Sequence, residues 1–510
     1  MYSITSQSAS LNAPRKAGLW RNPLAAAGPT ALFLMLMMLI PAASQAQTEV
    51  VLYNFTNTPD GANPTGSLTL SNGNLYGTTY AGGAYGNGSV FELSPNGSGG
   101  WNEKVIYSFC KTAPACTDGA NPGYSYVTFD KNGNMYGTAY NGGAHGYGAV
   151  FELSPSGSTW NETVIYSFAN TPDGANPING LVMDKSGNLF GTTYYGGTDG
   201  GNGTVFELSL SGSTWTETTI FNINANGAGL TLASTGYIYG SSYASVFVLL
   251  PTAGGYEPIT IYTFNPANAA KYGSDPMGTV TVDSTGTVYG TTLSGGQYNQ
   301  GVAYKLTRPP KGLPFKESVL AYFGTKIGAS PNAGMILDSA GNLYGTTQAG
   351  GKYNGGVVYE LSPNSAGGYT PIVLNAFSGI NGGGPLAGLV QDSAGYLYGT
   401  TYIGGNQGYG TVFEVNARAN VTTTSITSAP NPSTIGQAVT FTATVSSSAG
   451  PPPDGEIVVF EPIGQAPMVN GVAQYTVSDL QLGDTKVTAV YDGDLNFLGS
   501  RGSTVQVVNK

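Results

Sequence analysis

Three aspartates recur in one short motif and are the first candidates for chemistry in this chain. The motif is Asp-Gly-Ala-Asn-Pro, and it begins at Asp60, Asp118 and Asp173. Two carboxylates can hydrolyse glycosides when they lie about 5 Å apart, or up to about 9.5 Å apart for inversion, and carboxylate oxygens also bind calcium. Asp-Gly and Asn-Pro are strong turn formers as well, so a structural role competes with both kinds of site.

Tyrosines are concentrated in the neighbouring segments. Tyr rings pack against the apolar faces of sugar rings, while their hydroxyls and nearby amides bind sugar hydroxyls. The competing interpretation is that each ring packs within its own loop or against the next repeat. Together with the three aspartates, we select as candidate ligand-binding residues Tyr80, Tyr85, Tyr140, Tyr147, Tyr194, Tyr402 and Tyr409.

The remaining reactive residues do not form a catalytic group. His145 is the only histidine, and the sequence places no base or nucleophile beside it. Cys110 and Cys116 have five residues between them, and in an exported chain this favours a disulfide. Two cysteines do not complete a four-ligand metal site. We therefore predict no catalytic residue, no cofactor and no metal site, and calcium in an Asp-rich loop remains an open alternative.

A repeated strand sequence must position these side chains. Leu75-Tyr76-Gly77-Thr78-Thr79 has six later counterparts, centred on Gly137, Gly191, Gly240, Gly290, Gly345 and Gly399. The spacings between these glycines are 60, 54, 49, 50, 55 and 54 residues, which is the size of a supersecondary repeat. Each unit contains four candidate strands, and charged residues make up only 9% of the chain.

Seven four-stranded units predict an all-β, seven-bladed β-propeller. Residues 50–55 read as a fourth strand that precedes any first strand, and the last unit ends at Val415 without one. We therefore predict that this N-terminal strand completes the seventh blade and closes the ring. The central glycine of each motif is expected to let adjacent sheets approach closely. A solenoid is the alternative fold.

The repeat also resembles a known family. Its recurrent Gly-Leu-x-x-Asp, Gly-Asn-Leu-Tyr-Gly-Thr-Thr, Gly-Gly and Val-Phe-Glu-Leu segments are similar to the tandem GloVer repeats of secreted bacterial proteins, over about residues 49–416. The resemblance implies secretion and varied surface attachment rather than a known reaction. We assign residues 47–416 to the propeller.

A second domain follows a predicted linker at residues 417–428. Residues 429–510 contain alternating apolar and polar segments, which predict the half-buried strands of a small sandwich with Phe441, Val459 and Val490 in its core. Ser428-Ala429-Pro430-Asn431-Pro432-Ser433 and Thr488-Ala489-Val490-Tyr491-Asp492-Gly493-Asp494 resemble bacterial Ig-like repeats. The resemblance implies an Ig-like β-sandwich that acts as a spacer or adhesive module.

The N-terminus is typical of a secretory signal. Arg15, Lys16 and Arg21 precede an apolar run, and Ser44-Gln45-Ala46 fits a small-x-small cleavage site. We predict a signal peptide at residues 1–46 and no membrane span after cleavage. An uncleaved anchor is the alternative, but the strongest apolar stretch, residues 31–40, is short beside the roughly 20 residues that a spanning helix needs.

Cleavage would leave 15 Lys and Arg against 28 Asp and Glu, a net charge of −13. Nucleic acid is an unsuitable partner for such a chain, because its binding requires clustered Lys and Arg. The residues favour an extracellular or cell-surface binding protein without enzymatic activity, whose partner is a polysaccharide or a surface protein. A propeller glycan hydrolase or lyase and a structural or adhesive envelope protein are the alternatives.

Overall fold

The computed structural model describes residues 49–510 except 199–200, 224–226, 311, 418–419, 421, 448–449 and 495–496. The predicted signal peptide lies outside the described residues. Regular structure in the described part is predominantly β-strand. The helical segments there are two 3-10 turns, Pro122–Tyr124 and Pro266–Asn268, and the four-residue helix α1, Ala269–Tyr272.

Strand β1 (Glu49–Asn54) comes first, and six four-stranded antiparallel sheets follow it in chain order. The first blade contains β2 (Thr69–Ser71), β3 (Asn74–Thr78), β4 (Ser89–Pro95) and β5 (Trp101–Ser108). The second contains β6 (Thr128–Phe129), β7 (Met135–Ala139), β8 (Ala149–Ser156) and β9 (Thr159–Ser167). The third contains β10 (Ala175–Met183), β11 (Leu189–Tyr195), β12 (Thr204–Ser211) and β13 (Thr214–Asn222).

The fourth blade contains β14 (Gly227–Leu232), β15 (Ile238–Ser242), β16 (Ser245–Thr252) and β17 (Gly255–Thr263). The fifth contains β18 (Thr281–Val282), β19 (Val288–Thr292), β20 (Val302–Thr307) and β21 (Lys316–Tyr322). The sixth contains β22 (Ile336–Leu337), β23 (Leu343–Thr347), β24 (Val357–Pro363) and β25 (Tyr369–Ala376). The seventh contains β26 (Val390–Gln391), β27 (Tyr396–Thr401) and β28 (Thr411–Asn416).

The ring closes as predicted. Strand β1 pairs antiparallel with β28 and is the outer strand of the seventh blade, with Val50 opposite Glu414 and Asn54 opposite Thr411. The Phe55 backbone N–H then donates to the carbonyl of Gly410 at 3.1 Å. The first strand of the fold thus completes its last sheet, which confirms the seven-bladed propeller closed by an N-terminal strand.

The motif glycine of each blade lies against a side chain of its own sheet. The sequence had predicted instead that it would let adjacent sheets approach closely. Gly77 lies opposite Phe91 in the β3–β4 pair. A Cβ atom on Gly77 would lie 2.5 Å from Cζ of Phe91, and the other six blades have an equivalent contact with a Phe or Tyr of the third strand. The glycine therefore makes room for a large buried ring on the neighbouring strand of its own sheet.

Those rings also join adjacent blades. Each third-strand ring meets an aromatic side chain at or just after the outer strand of the preceding blade, with ring centroids 4.9–5.1 Å apart. Such tilted or edge-to-face contacts are the favoured aromatic geometry. The seven contacts are Phe55–Phe91, Phe109–Phe151, Phe168–Phe206, Phe221–Phe247, Phe264–Tyr304, Phe323–Tyr359 and Phe377–Phe413.

The C-terminal domain is an eight-stranded sheet folded on itself, in the order β29-β31-β34-β33-β32-β35-β36-β30. Its strands are β29 (Thr422–Ala429), β30 (Ser433–Thr434), β31 (Val439–Ser447), β32 (Ile457–Glu461), β33 (Gly464–Val469), β34 (Val472–Val477), β35 (Gly483–Gly493) and β36 (Leu498–Asn509). Strand β29 occupies most of the segment assigned to a linker, because its Thr and Ser residues pair with β31 over eight positions.

Of the three core residues predicted for this domain, Phe441 and Val490 are buried and Val459 is not. Phe441 is fully buried in the core, together with Val458, Phe460 and Ala489. Val459 is only partly buried, and Val490 is buried outside that cluster. Successive strand residues point to opposite faces, so a choice that is one residue out of phase selects the wrong face.

Candidate functional site

Five tyrosines meet on one face of the propeller, which we call the rim face. It carries the loops that follow the second and fourth strands of each blade. Tyr80, Tyr140 and Tyr194 come from the second-strand ends of the first three blades, and Tyr124 comes from the 3-10 turn between the first two. Ring centroids are 5.3 Å apart for Tyr80–Tyr124, 5.6 Å for Tyr124–Tyr140 and 4.7 Å for Tyr194–Tyr195.

This tyrosine cluster lies on the wall of the central cavity, whose volume is about 1100 Å³. The deeper wall is formed by the innermost strands of the blades and the residues just before them. Tyr126 and the amide side chains Asn179 and Asn332 lie on it, and so does Thr65, whose buried hydroxyl has no hydrogen-bond partner among the described residues. The cavity therefore combines aromatic faces with uncharged hydrogen-bonding groups.

The cavity wall is uncharged. Among the described residues that line it, none is Asp, Glu, His, Lys or Arg. Burial and the neighbouring tyrosines raise the pKa of Tyr140 to about 12, and burial alone raises that of Tyr126 to about 12. These hydroxyls therefore stay protonated at neutral pH and can donate hydrogen bonds.

Asparagines of the Asp-Gly-Ala-Asn-Pro motif hold the tyrosines in place. The Nδ2 group of Asn121 donates to the Tyr80 carbonyl at 2.8 Å, and that of Asn176 donates to the Tyr140 carbonyl at 2.9 Å. Asn121 and Asn176 have φ angles of 56°, a left-handed conformation that asparagine tolerates better than most residues. The side chain of each asparagine thus ties its blade to the rim of the preceding one.

The three motif aspartates lie elsewhere, each beside the outer strand that precedes it. Asp60, Asp118 and Asp173 are buried and do not line the central cavity. Each carboxylate accepts a tyrosine hydroxyl and a backbone N–H from its own loop region. The hydroxyl donors are Tyr53 at 2.8 Å, Tyr107 at 2.9 Å and Tyr166 at 2.7 Å, and the backbone donors are Thr56, Lys111 and Ala169.

The other selected tyrosines are exposed on the rim face. Tyr85, Tyr147 and Tyr409 lie in the loops after the second strands and do not line the cavity. Tyr402 is also exposed, and its carbonyl accepts a hydrogen bond from Asn63. The structure thus brings together Tyr80, Tyr140 and Tyr194. Tyr124 and Tyr126 escaped selection because they lie outside the repeated strand motif.

Three further features concern the disulfide, metal binding and membrane attachment. Cys110 and Cys116 form a disulfide whose Cα atoms are 4.1 Å apart, in the loop that leads to Asp118. Within the described residues, no three His, Cys, Asp or Glu side chains are grouped to hold a metal ion. No helix in the described part is long and apolar enough to cross a membrane.

The repeat sequence matches a known family. The profile described as the Gloeobacter/Verrucomicrobia repeat matches residues 98–246 and 227–448, which together exceed half of the chain. The chain belongs to the Gloeobacter/Verrucomicrobia repeat family. In this Gloeobacter/Verrucomicrobia repeat protein, a second profile, bacterial Ig-like domain group 3, matches residues 426–509. Both matches confirm the resemblances seen in the sequence.

This Gloeobacter/Verrucomicrobia repeat protein is only distantly similar to individual known proteins. No curated protein matches it. A solved streptogramin B lyase is 14% identical with a TM-score of 0.46, over 72% of this chain and 97% of the lyase. The extracellular domain assigned to a hybrid two-component system of B. thetaiotaomicron is 12% identical with a TM-score of 0.47, over 90% of this chain and 59% of that chain. These likenesses carry no functional argument.

Proposed function

We propose that this chain is an extracellular or cell-surface binding protein that holds a neutral saccharide in its central cavity without reacting with it. The observation that carries the proposal is an uncharged cavity of about 1100 Å³ with a tyrosine cluster on its wall. Ligand sites of this size typically combine aromatic walls with a few polar groups. Here Tyr80, Tyr124 and Tyr140 offer ring faces, and Asn179 and Thr65 offer hydrogen-bonding groups.

An uncharged wall favours binding over catalysis. Glycoside hydrolysis ordinarily uses two carboxyl groups, one on each side of the bond that breaks. The described lining of the cavity has no carboxyl group, and Asp60, Asp118 and Asp173 are buried beside outer strands. The same lining offers no ion pair to an acidic or basic ligand, so a neutral sugar fits it better than a charged one.

Export is part of the proposal. Arg15, Lys16 and Arg21 before an apolar run fit a signal peptide, and the Cys110–Cys116 disulfide suits an oxidising compartment. The Ig-like domain is of a bacterial type, and we expect it to display the propeller outside the cell. The expected setting is the cell surface or the medium around it.

A screen of the full chain against immobilised neutral and acidic glycans tests the proposal. The test variant carries Tyr80→Ala, Tyr140→Ala and Tyr194→Ala together. Tyr237→Ala is the control, because Tyr237 is an exposed tyrosine in a hairpin turn on the opposite face. The triple variant should lose at least about tenfold in affinity for a neutral glycan, since each aromatic contact is worth roughly 1 kcal/mol.

Stoichiometry and products separate the alternatives. One central cavity predicts one bound neutral saccharide per chain by calorimetry. If the triple variant binds like the parent protein, the three substituted tyrosines are not part of the binding site. Shortened glycan products would support a hydrolase or lyase instead, and the absence of any glycan binding by the parent protein would favour a surface-protein partner or a structural role.

A further inference from the structure

The Ig-like domain contacts the side of the propeller through apolar residues. Leu498, at the start of β36, is buried in the same cluster as Leu374 of the sixth blade and Ala417 at the end of the seventh. Val490 is buried as well, outside the core of its own domain. The Lys352 Nζ and Asp492 Oδ1 atoms are 3.7 Å apart across this contact. The two domains therefore form a continuous junction.

A second cavity of about 340 Å³, the junction cavity, lies in this contact. One wall is part of the outer strand β25, and the other comes from β35 and β36. Three cationic residues line it: Lys326, Lys352 and Arg501. Only 18 of the 510 residues are Lys or Arg, so three at one cavity are a marked concentration in an acidic chain.

Most of this positive charge is not neutralised locally. Asp492 pairs with Lys352, whereas Lys326 and Arg501 are exposed and make no ion pair among the described residues. A buried acid close to the cavity, Glu49, accepts a hydrogen bond from the lining residue Asn375 at 2.9 Å. Burial raises the pKa of Glu49 to about 8. At neutral pH this carboxyl group is therefore mostly protonated and does not neutralise the cations.

The groups beside these cations suit a charged sugar. Arg501 presents a planar fork of donors that matches a carboxylate or sulfate group. Tyr353 and Ser500 line the same cavity, and the Lys352 Nζ atom lies 5.0 Å from the centre of the Tyr353 ring. The Tyr353 ring is partly exposed, so a sugar ring could pack on it while an acidic substituent reaches the cations.

We propose that the junction cavity binds an acidic saccharide through its carboxylate or sulfate group. This site is separate from the central cavity, whose described lining is uncharged. Because the cations come from both domains, the bound anion would bridge the propeller and the Ig-like domain. Attraction by partly exposed cations is expected to weaken as salt screens it.

Calorimetry with the full chain tests the proposal. The probes are an oligogalacturonate, its fully methyl-esterified and therefore neutral counterpart, and a sulfated galactan oligomer. Binding of the oligogalacturonate and not of its ester supports a carboxylate site, and binding of the sulfated oligomer alone supports a sulfate site. Affinity should fall at least fivefold between 50 and 300 mM salt.

Matched variants locate the site. Lys326→Gln with Arg501→Gln should weaken acidic-saccharide binding at least tenfold. Lys131→Gln with Lys185→Gln removes two exposed cations from hairpin turns on the face opposite the rim and should leave binding unchanged. Equal binding by both double variants, equal binding of acid and ester, or no binding of either acidic probe would overturn the proposal. The Tyr80, Tyr140 and Tyr194 triple variant should keep this binding, so failure of the central-cavity proposal is a separate result.

Discussion

Two blades carry a tyrosine at a position where the other five carry phenylalanine. The residues are Tyr304 and Tyr359, which lie opposite the motif glycines Gly290 and Gly345. Both are buried, and neither hydroxyl has a hydrogen-bond partner among the described residues. A buried hydroxyl without a partner costs about 1–3 kcal/mol of stability.

We expect Tyr304→Phe and Tyr359→Phe each to raise the free energy of unfolding by about 1 kcal/mol. Denaturant titration of the single variants measures this change. Tyr76→Phe is the matched control, because its hydroxyl donates to Glu92 at 2.9 Å and its loss should destabilise the protein. A loss of stability in both of the first two variants would contradict the explanation.

Acidic residues on three outer strands make stability depend on pH. The pKa values of Glu103, Glu162 and Glu217 are raised from 4.5 to about 7, mainly by burial. The neighbouring motif aspartates, Asp60, Asp118 and Asp173 respectively, add to this effect. In the folded protein these carboxyl groups therefore keep their protons to a higher pH than in the unfolded chain.

Proton linkage determines whether these groups raise or lower stability as pH rises. Between about pH 4.5 and 7 the folded state binds protons that the unfolded state has released, so stability from these groups is complete below pH 4.5 and is lost as pH rises towards 7. We expect a triple Glu103→Gln, Glu162→Gln and Glu217→Gln variant to show a smaller fall in melting temperature over this range. If melting temperature falls equally with pH in the parent protein and the triple variant, the three glutamates do not cause the loss of stability.

Strand β1 is the element on which closure of the ring depends. It pairs with β28, and the next residue, Phe55, is fully buried against Phe91 of the first blade. Without β1, the seventh blade would expose the unpaired edge of β28. Exposed edges of this kind promote association between chains.

Deletion of residues 1–55 should therefore lower the melting temperature and cause self-association. Deletion of residues 1–47 is the control, because it leaves β1 in place and should keep the stability of the full chain. Thermal unfolding and sedimentation measure the two effects. A monomeric 56–510 protein with unchanged melting would show that closure does not need this strand.

The relation between the two domains is decided by packing rather than by a long linker. Strand β29 begins at Thr422, only a few residues after β28 ends at Asn416. Leu498 is 8% exposed, and its contacts include propeller residues. A docked Ig-like domain would act as a fixed part of the surface, not as the spacer that its family resemblance implies.

Leu498→Asp should release the Ig-like domain, because the charge would be buried without a partner. Small-angle scattering should then show a larger radius of gyration, and proteolysis should become faster between the domains. Leu482→Asp is the control, because Leu482 is 52% exposed on the same domain. Unchanged scattering from a folded Leu498→Asp protein would show that Leu498 does not hold the two domains together.

The sequence alone determined the number of blades, the strand order and the closing strand. These features follow from local patterns, because each repeat contains its own turn residues and its own alternation of side chains. The same patterns predicted Tyr80, Tyr140 and Tyr194 as partners, since equivalent loops of neighbouring blades share a face.

Only the tertiary structure decided which side chains meet between blades and between the two domains. It showed that Tyr124 lines the central cavity and that Leu498 contacts the propeller. Each of these outcomes depends on residues far apart in the chain or on which face of a strand a side chain takes. Such contacts arise when sheets and domains pack together, and a local pattern does not encode them.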